Sequence, residues 1–199
     1  MTTVVHPSSD RQEPGPRRFI PRRLRRGMPE GPPTPWVIVA AWGPCGFSPW
    51  APGTVGTAGA IPLFWLMRDL PLWVYLLTVV GLTAVAVYSA GVASRYWKVP
   101  DASPIVIDEV AGYLVTMAVV PWSWPAAILG FFLFRFFDIA KPWPASWFDR
   151  QKNPFGVVMD DVAAGVWAAF AFHFVALALR LVAGCASGDV SFWCAELTP

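Results

Sequence analysis

A chain of 199 residues that is 55% hydrophobic, 15% aromatic and only 14% charged departs from soluble domains, which carry about 25% charge. The formal charge of +2 is too small to point to a nucleic-acid partner, and the three cysteines show neither zinc-site spacing nor an even disulfide count. Lipid is the solvent this composition suits, and the length, without a visible repeat, predicts a single domain.

Residues 1–35 are expected to form a disordered, basic cytoplasmic arm. Seven of the 15 basic residues (Arg11, Arg17, Arg18, Arg22, Arg23, Arg25 and Arg26) lie in the first 26 positions, and MPEGPPTP follows at 28–35. That stretch is polar and proline-rich, unlike the apolar core of a cleavable signal. Such an arm either holds anionic headgroups, at about 1 kcal/mol per basic residue near the surface, or acts only as a positive-inside topology signal.

Residues 36–67 are interrupted by GPCGFSPWAPGTVGT at 43–57. Glycine and proline this dense predict an irregular loop, buried in protein or set at the interface. Its flanks, 36–42 and 58–67, are too short to span a bilayer alone. Ser48, Gly53, Thr54, Gly56 and Thr57 offer close backbone approach and donors of the kind a phosphate needs. No GK[ST] follows, so this is not a Walker motif, and the bland alternative is a simple turn.

Residues 70–94 carry no formal charge and are closed by Arg95 and Lys98, which makes them the clearest spanning helix across a core of about 30 Å. Residues 110–134 are also uncharged but contain Pro121, Trp122, Trp124 and Pro125. The prolines predict two helices joined by a tight turn. The first begins near Ile107, with Asp108 and Glu109 in its first turn. The second covers 126–140 and ends with Arg135, Asp138 and Lys141, so both charged ends face one side.

Residues 162–179 predict another spanning helix, preceded by Asp160 and Asp161 and followed by Arg180. His173 within it is expected to hydrogen-bond between helices. Cys45, Cys185 and Cys194 read as small core hydrophobes, and 184–199 as a short tail.

Five acids, Asp108, Glu109, Asp138, Asp160 and Asp161, sit in or beside apolar helices, where an unpartnered carboxylate costs a few kcal/mol. Helix capping accounts well for Asp160, less well for Asp108 and poorly for Asp138, which lies where the helix dipole disfavours negative charge. Arg135, Asp138 and Lys141 share one helical face by their spacing. A salt-bridged stripe explains that face but not two further acidic pairs at the same level. Their convergence favours a cation site. Mg²⁺ takes one or two carboxylates together with water and phosphate oxygens, while adjacent lysine and arginine balance phosphate charge.

Four blocks, FSPWAPGTVGT (47–57), IVIDEVAG (105–112), FRFFDIAKPWPASWFDR (134–150) and GVVMDDVAAG (156–165), resemble in order and spacing the phosphatidylglycerophosphatase A family. The resemblance covers about 36–179 and implies an all-α fold. With the apolar runs, this predicts a polytopic membrane helical bundle with a Gly/Pro-rich active-site loop and a catalytic domain over 36–183. The family resemblance implies Mg²⁺-dependent hydrolysis of phosphatidylglycerophosphate to phosphatidylglycerol and phosphate. It also implies the bacterial inner membrane, with the active site facing the cytoplasm.

Carried over by position, Asp108, Glu109, Asp138, Asp160 and Asp161 match the family's acids; Asp108, Glu109, Asp138 and Asp161 are expected as metal ligands, and Asp138, Lys141, Asp160 and Asp161 as catalytic residues. Ser48, Gly53, Thr54, Gly56, Thr57, Arg135 and Arg150 are assigned to the substrate phosphate, and Pro142, Trp143 and Asp149 match the same third block. Water is the expected nucleophile, with an aspartyl-phosphate on Asp138 or Asp160 left open.

Two rivals remain. A CDP-alcohol phosphotransferase would show a DG…AR…G…D…D order that is absent here. A small transporter or ion- or proton-conducting subunit would use midplane acids open to both sides. The sequence is silent on oligomeric state.

Overall fold

In the computed structural model, residues 31–187 are described, so most of the expected basic arm and of the C-terminal tail lies outside the described residues. Among the described residues seven α-helices follow one another: α1 (Pro35–Ala40), α2 (Pro52–Met67), α3 (Leu72–Trp97), α4 (Ile107–Thr116), α5 (Trp124–Ala140), α6 (Ala145–Asp149) and α7 (Pro154–Ser187). A single 3₁₀ turn, Cys45–Phe47, separates α1 from α2. Among the described residues no strand occurs, as expected for an all-α chain.

Among the described residues two helices are long and apolar enough to cross a membrane, Leu72–Trp97 and Pro154–Leu181. They match the spans read at 70–94 and 162–179. With ten residues, α4 reaches only about 15 Å and does not span by itself. It is instead the centre of the bundle, with Val110, Ala111, Tyr113 and Leu114 fully buried. Buried tyrosines tie it in place. Tyr75 of α3 donates its hydroxyl to the Leu114 carbonyl at 2.8 Å, and Tyr113 donates to the Ala127 carbonyl of α5 at 3.1 Å.

The contact between α4 and α7 depends on two glycines. A Cβ on Gly112 would stand 2.6 Å from the Asp161 carbonyl oxygen, and one on Gly165 would stand 3.1 Å from the Gly112 carbonyl carbon. Thr116 reaches across the seam, its hydroxyl 3.1 Å from the Gly112 carbonyl and 3.3 Å from that of Gly165. Close backbone approach of this kind is what small residues allow in membrane helix packing.

Several local expectations change. The glycine-threonine segment is not a loop: α2 begins at Pro52, behind Ala51 in a left-handed conformation (φ 40°). Proline at the first helical position has no N–H to lose and a preset φ, and the Thr57 hydroxyl donates to the Gly53 carbonyl at 3.0 Å. The irregular stretch that the composition required is therefore 41–51, interrupted by the 3₁₀ turn.

Helix α7 starts earlier than the apolar run that signalled it. Asn153 Oδ1 accepts from the Gly156 N–H at 2.7 Å, a capping arrangement, so Asp160 and Asp161 lie inside the helix and the capping explanation of Asp160 falls away. Likewise α5 starts at Trp124, two residues ahead of expectation, because Ser123 caps it by accepting from the Ala126 N–H at 3.2 Å. His173 bonds within its own helix, Nδ1 lying 2.8 Å from the Ala169 carbonyl, rather than between helices. Cys45 is a free, half-buried thiol.

Candidate active site

A cleft of about 300 Å³ opens at one end of the bundle, where the first turns of α2 and α4, the last turn of α5 and the second turn of α7 meet. Asp108, Glu109, Asp138, Asp160 and Asp161 all line it, with Arg135 and Lys141 as its cations. Five acids separated by up to 53 positions in sequence thus gather around one space, which the α4–α7 glycine contact and the caps of α5 and α7 position.

Two ion-pair systems organise it. Arg135 Nη1 lies 2.7 Å from Asp138 Oδ2 and 3.4 Å from Glu109 Oε1, linking α5 to α4. Lys141, the left-handed cap of α5 (φ 44°), ion-pairs with Asp160 of α7 and with Asp149 Oδ1 of α6 at 3.0 Å. Lys152 meets the same Asp149 oxygen at 3.3 Å. The predicted face is realised in the Arg135–Asp138 pair only: the helix ends before Lys141, and the changed backbone direction sends its ammonium to Asp149 and Asp160.

Asp108, Asp160 and Asp161 are 6%, 4% and 5% exposed. Glu109 Oε2 is buried without a hydrogen-bond partner. Burial pushes the Glu109 carboxyl up to about 8, against the opposing pull of Arg135. Burial, and next the Glu109 charge, push Asp108 well above the usual carboxylate range. For Lys141, burial works downward, but Asp160 and then Asp149 outweigh it and raise the ammonium above its ordinary value. Burial also works against the Asp149 carboxylate, yet Lys141 and Lys152 hold it below its ordinary value.

The N-terminus of α2 lies directly on Glu109. A Cβ on Gly53 would stand 2.7 Å from Glu109 Cδ, and one on Gly56 would stand 2.9 Å from Oε2 and 2.7 Å from Val106 Cβ. Glycine here serves close approach rather than backbone freedom.

Of the residues assigned from sequence, Gly53, Thr54 and Arg135 line the cleft with the five acids and Lys141. Ser48, Gly56, Thr57 and Arg150 are not among its lining residues. The Ser48 hydroxyl donates to the Trp50 carbonyl at 2.8 Å, Gly56 is buried beneath Glu109, Thr57 is buried and bonded inside α2, and Arg150 caps the short α6 at the surface. Sequence reasoning gave no role to Asp149, and it missed Asp101 and Ser103, which also line the cleft. The Asp149–Lys141 contact is set by the left-handed turn after α5, and Asp101 sits in a loop whose composition resembles any solvated turn.

Among the described residues no three His, Cys, Asp or Glu side chains converge as around a bound metal. The donor chemistry nevertheless suits a hard divalent cation. Six carboxylates, Asp101 among them, face two cations, all the candidate donors are oxygens, and one buried carboxylate oxygen has no partner.

The model of the family described as Phosphatidylglycerophosphatase A matches residues 38–176. The chain belongs to the phosphatidylglycerophosphatase A family. Its relatives include the Phosphatidylglycerophosphatase A of Escherichia coli K12, 39% identical over 145 residues that cover 71% of this chain and 83% of the relative. The Haemophilus influenzae Phosphatidylglycerophosphatase A is 36% identical over 59% of this chain and 74% of its own length. A Bacteroides thetaiotaomicron protein, named provisionally as a phosphatidylinositol-3-phosphatase, is 36% identical over 71% of this chain and 92% of its own length. No solved structure matches the chain. The matched segment of the phosphatidylglycerophosphatase A family contains every residue that lines the acidic cleft.

Proposed function

We propose that this chain hydrolyses phosphatidylglycerophosphate to phosphatidylglycerol and inorganic phosphate, acting on the phosphorylated headgroup while the acyl chains stay in lipid. The observation that carries the reading is the acidic cleft, with Arg135 and Lys141 set among six carboxylates, in a chain of this family. A transporter would draw on acids open to both sides of the membrane, whereas these acids share one cleft at one end of the bundle.

The residues divide the work by their contacts. Arg135 and Lys141 carry the positive charge that stabilises phosphoryl oxygens. The free backbone N–H groups of the first α2 turn, at Gly53 and Thr54, favour an anion at the same place. Asp149 is a positioning residue that holds the Lys141 ammonium. Water is the nucleophile of this proposal, with Asp160, the assigned acid outside the proposed metal set, as its base.

Mg²⁺ belongs to the same proposal, with Asp108, Glu109, Asp138 and Asp161 as its ligands after their side chains turn toward it. When bound, it supplies Lewis-acid polarisation of the phosphoryl group. The membrane placement rests on the two long apolar helices and on exposed aromatics at both ends of the bundle. Trp50, Trp143 and Trp147 stand near the cleft, and Trp65, Trp73 and Trp124 at the other end, as in interfacial aromatic belts. A bacterial inner-membrane location with a cytoplasm-facing cleft completes the proposal.

The test is phosphate release by purified protein from phosphatidylglycerophosphate and, in parallel, from phosphatidylinositol 3-phosphate, with Mg²⁺ or with EDTA, alongside Asp138→Asn and Asp161→Asn. The reading requires preference for the first substrate, and loss of activity in EDTA and in both variants. Preference for the inositol lipid would move the substrate assignment, and full activity in EDTA would remove the metal.

A further inference from the structure

A second cavity, of about 280 Å³, lies at the end of the bundle opposite the cleft. It sits between the α4–α5 connection and the later turns of α7, with Val119, Ala126, Phe172, Ala176 and Leu177 on its walls and Arg180 as the one formal charge among the described residues that line it. None of these residues takes part in the acidic site. Along α7, Arg180 is about 28 Å from Asp161 at helical rise, close to the hydrocarbon thickness of a bilayer. Arg180 therefore reaches the far headgroup level when the cleft lies at the near one.

Among the described residues no carboxylate pairs with Arg180. We infer that this groove is a binding site for an anionic phospholipid of the leaflet opposite the cleft, its phosphodiester on Arg180 and one acyl chain along the apolar wall. The charge pattern selects this occupant. A guanidinium prefers a phosphate partner, which it grips bidentately, while the rest of the lining offers almost nothing polar. His173 Nδ1, also at the rim, is already engaged with the Ala169 carbonyl, and Ser123 is committed to capping α5. The site rests on the membrane placement proposed above and is independent of the substrate assignment.

The experiment uses the full chain, purified in neutral detergent, and measures Tm with added phosphatidylserine or phosphatidylcholine of identical acyl chains; neither lipid is substrate or product of the proposed reaction. Phosphatidylserine should raise Tm by about 4 °C more than phosphatidylcholine. Arg180→Gln should abolish that increment, and Ala176→Phe, which fills the groove, should abolish the response to both lipids. Phosphate release at saturating substrate should stay within about twofold in both variants. Equal stabilisation by the two lipids in the unaltered protein, or an increment that survives in Arg180→Gln, would overturn the site. So would an increment that appears only after residues 188–199 are deleted, because the tail would then be the occupant. If Ala176→Phe fails to fold, the Arg180→Gln comparison decides. Release of the protein from membranes by alkaline carbonate would overturn the membrane placement itself, a failure distinct from loss of lipid selectivity.

Discussion

Gly53 in the first turn of α2 and Glu109 in the first turn of α4 pack backbone against carboxylate, so that a methyl group on Gly53 would stand 2.7 Å from Glu109 Cδ. Glu109 also faces Arg135 at 3.4 Å. One added carbon therefore has two exits, to push α2 away or to turn Glu109 off Arg135. Gly53→Ala should lower kcat/KM by roughly tenfold or more, in line with the cost of about 1 Å of misplacement at a reacting centre. Helical content by circular dichroism should be unchanged. An alanine variant of full activity would separate Glu109 from the site.

Asp149 offers a test of positioning without touching the cleft acids. Its carboxylate holds Lys141 at 3.0 Å from a different helix, and Asp149→Asn keeps the shape while removing the charge. The expected outcome is a fall in kcat of about tenfold, together with a downward shift of the alkaline limb of the pH–rate profile, because Lys141 loses one of the two carboxylates that hold its proton. A structural role alone would change Tm and leave that limb in place.

The cleft predicts how stability depends on pH. Burial raises Glu109 from its ordinary 4.5 to about 8, so between those values the folded protein keeps a proton that the unfolded chain has released. The folded state is then favoured at low pH, and this contribution fades as pH rises from about 4.5 through about 8. Asp108 is raised too and adds in the same sense. In EDTA, Tm in detergent should decline over this window. Millimolar Mg²⁺ should recover it most at the alkaline end, since an ion binds the deprotonated acids. A flat profile would count against the buried, unbalanced carboxylates.

The Tyr75 hydroxyl is a purely structural probe. It donates to the Leu114 carbonyl at 2.8 Å near the end of α4, far from the cleft. Tyr75→Phe should cost about 1 kcal/mol of stability, read as a lower unfolding midpoint, with kcat unchanged. A large loss of activity would mean that the far end of α4 transmits to the acids at its start.

The long apolar runs made α3 and α7 legible, and the charges at their borders already implied that the acids face one way. The clustering of Asp108, Glu109, Asp138, Asp160 and Asp161 followed from those borders. Three features were hidden for identifiable reasons. The first turn of α2 has glycine and proline where helix propensity is weakest, yet packing of Gly53 and Gly56 on Glu109 and Val106 holds it helical. The true start of α7 depends on the Asn153 cap, which precedes the apolar signal by several residues. The partners of Lys141 follow from a single left-handed residue at the end of α5, and spacing along a regular helix does not foresee such a change of direction.

The touching backbones of α4 and α7 give the acidic site a dimension set from the hydrophobic interior. Glu109 stands three residues before Gly112, and Asp161 four before Gly165, so the width of the glycine seam fixes how far apart the two acidic pairs begin. On the metal proposal, that width acts as a calliper for ionic radius. A methyl inserted at Gly165 parts the jaws, and the preference among Mg²⁺, Mn²⁺ and Ca²⁺ should slide toward the larger ion without any change of ligand. Selection for packing in the bilayer and selection for a particular cation would then act on the same two hydrogen atoms.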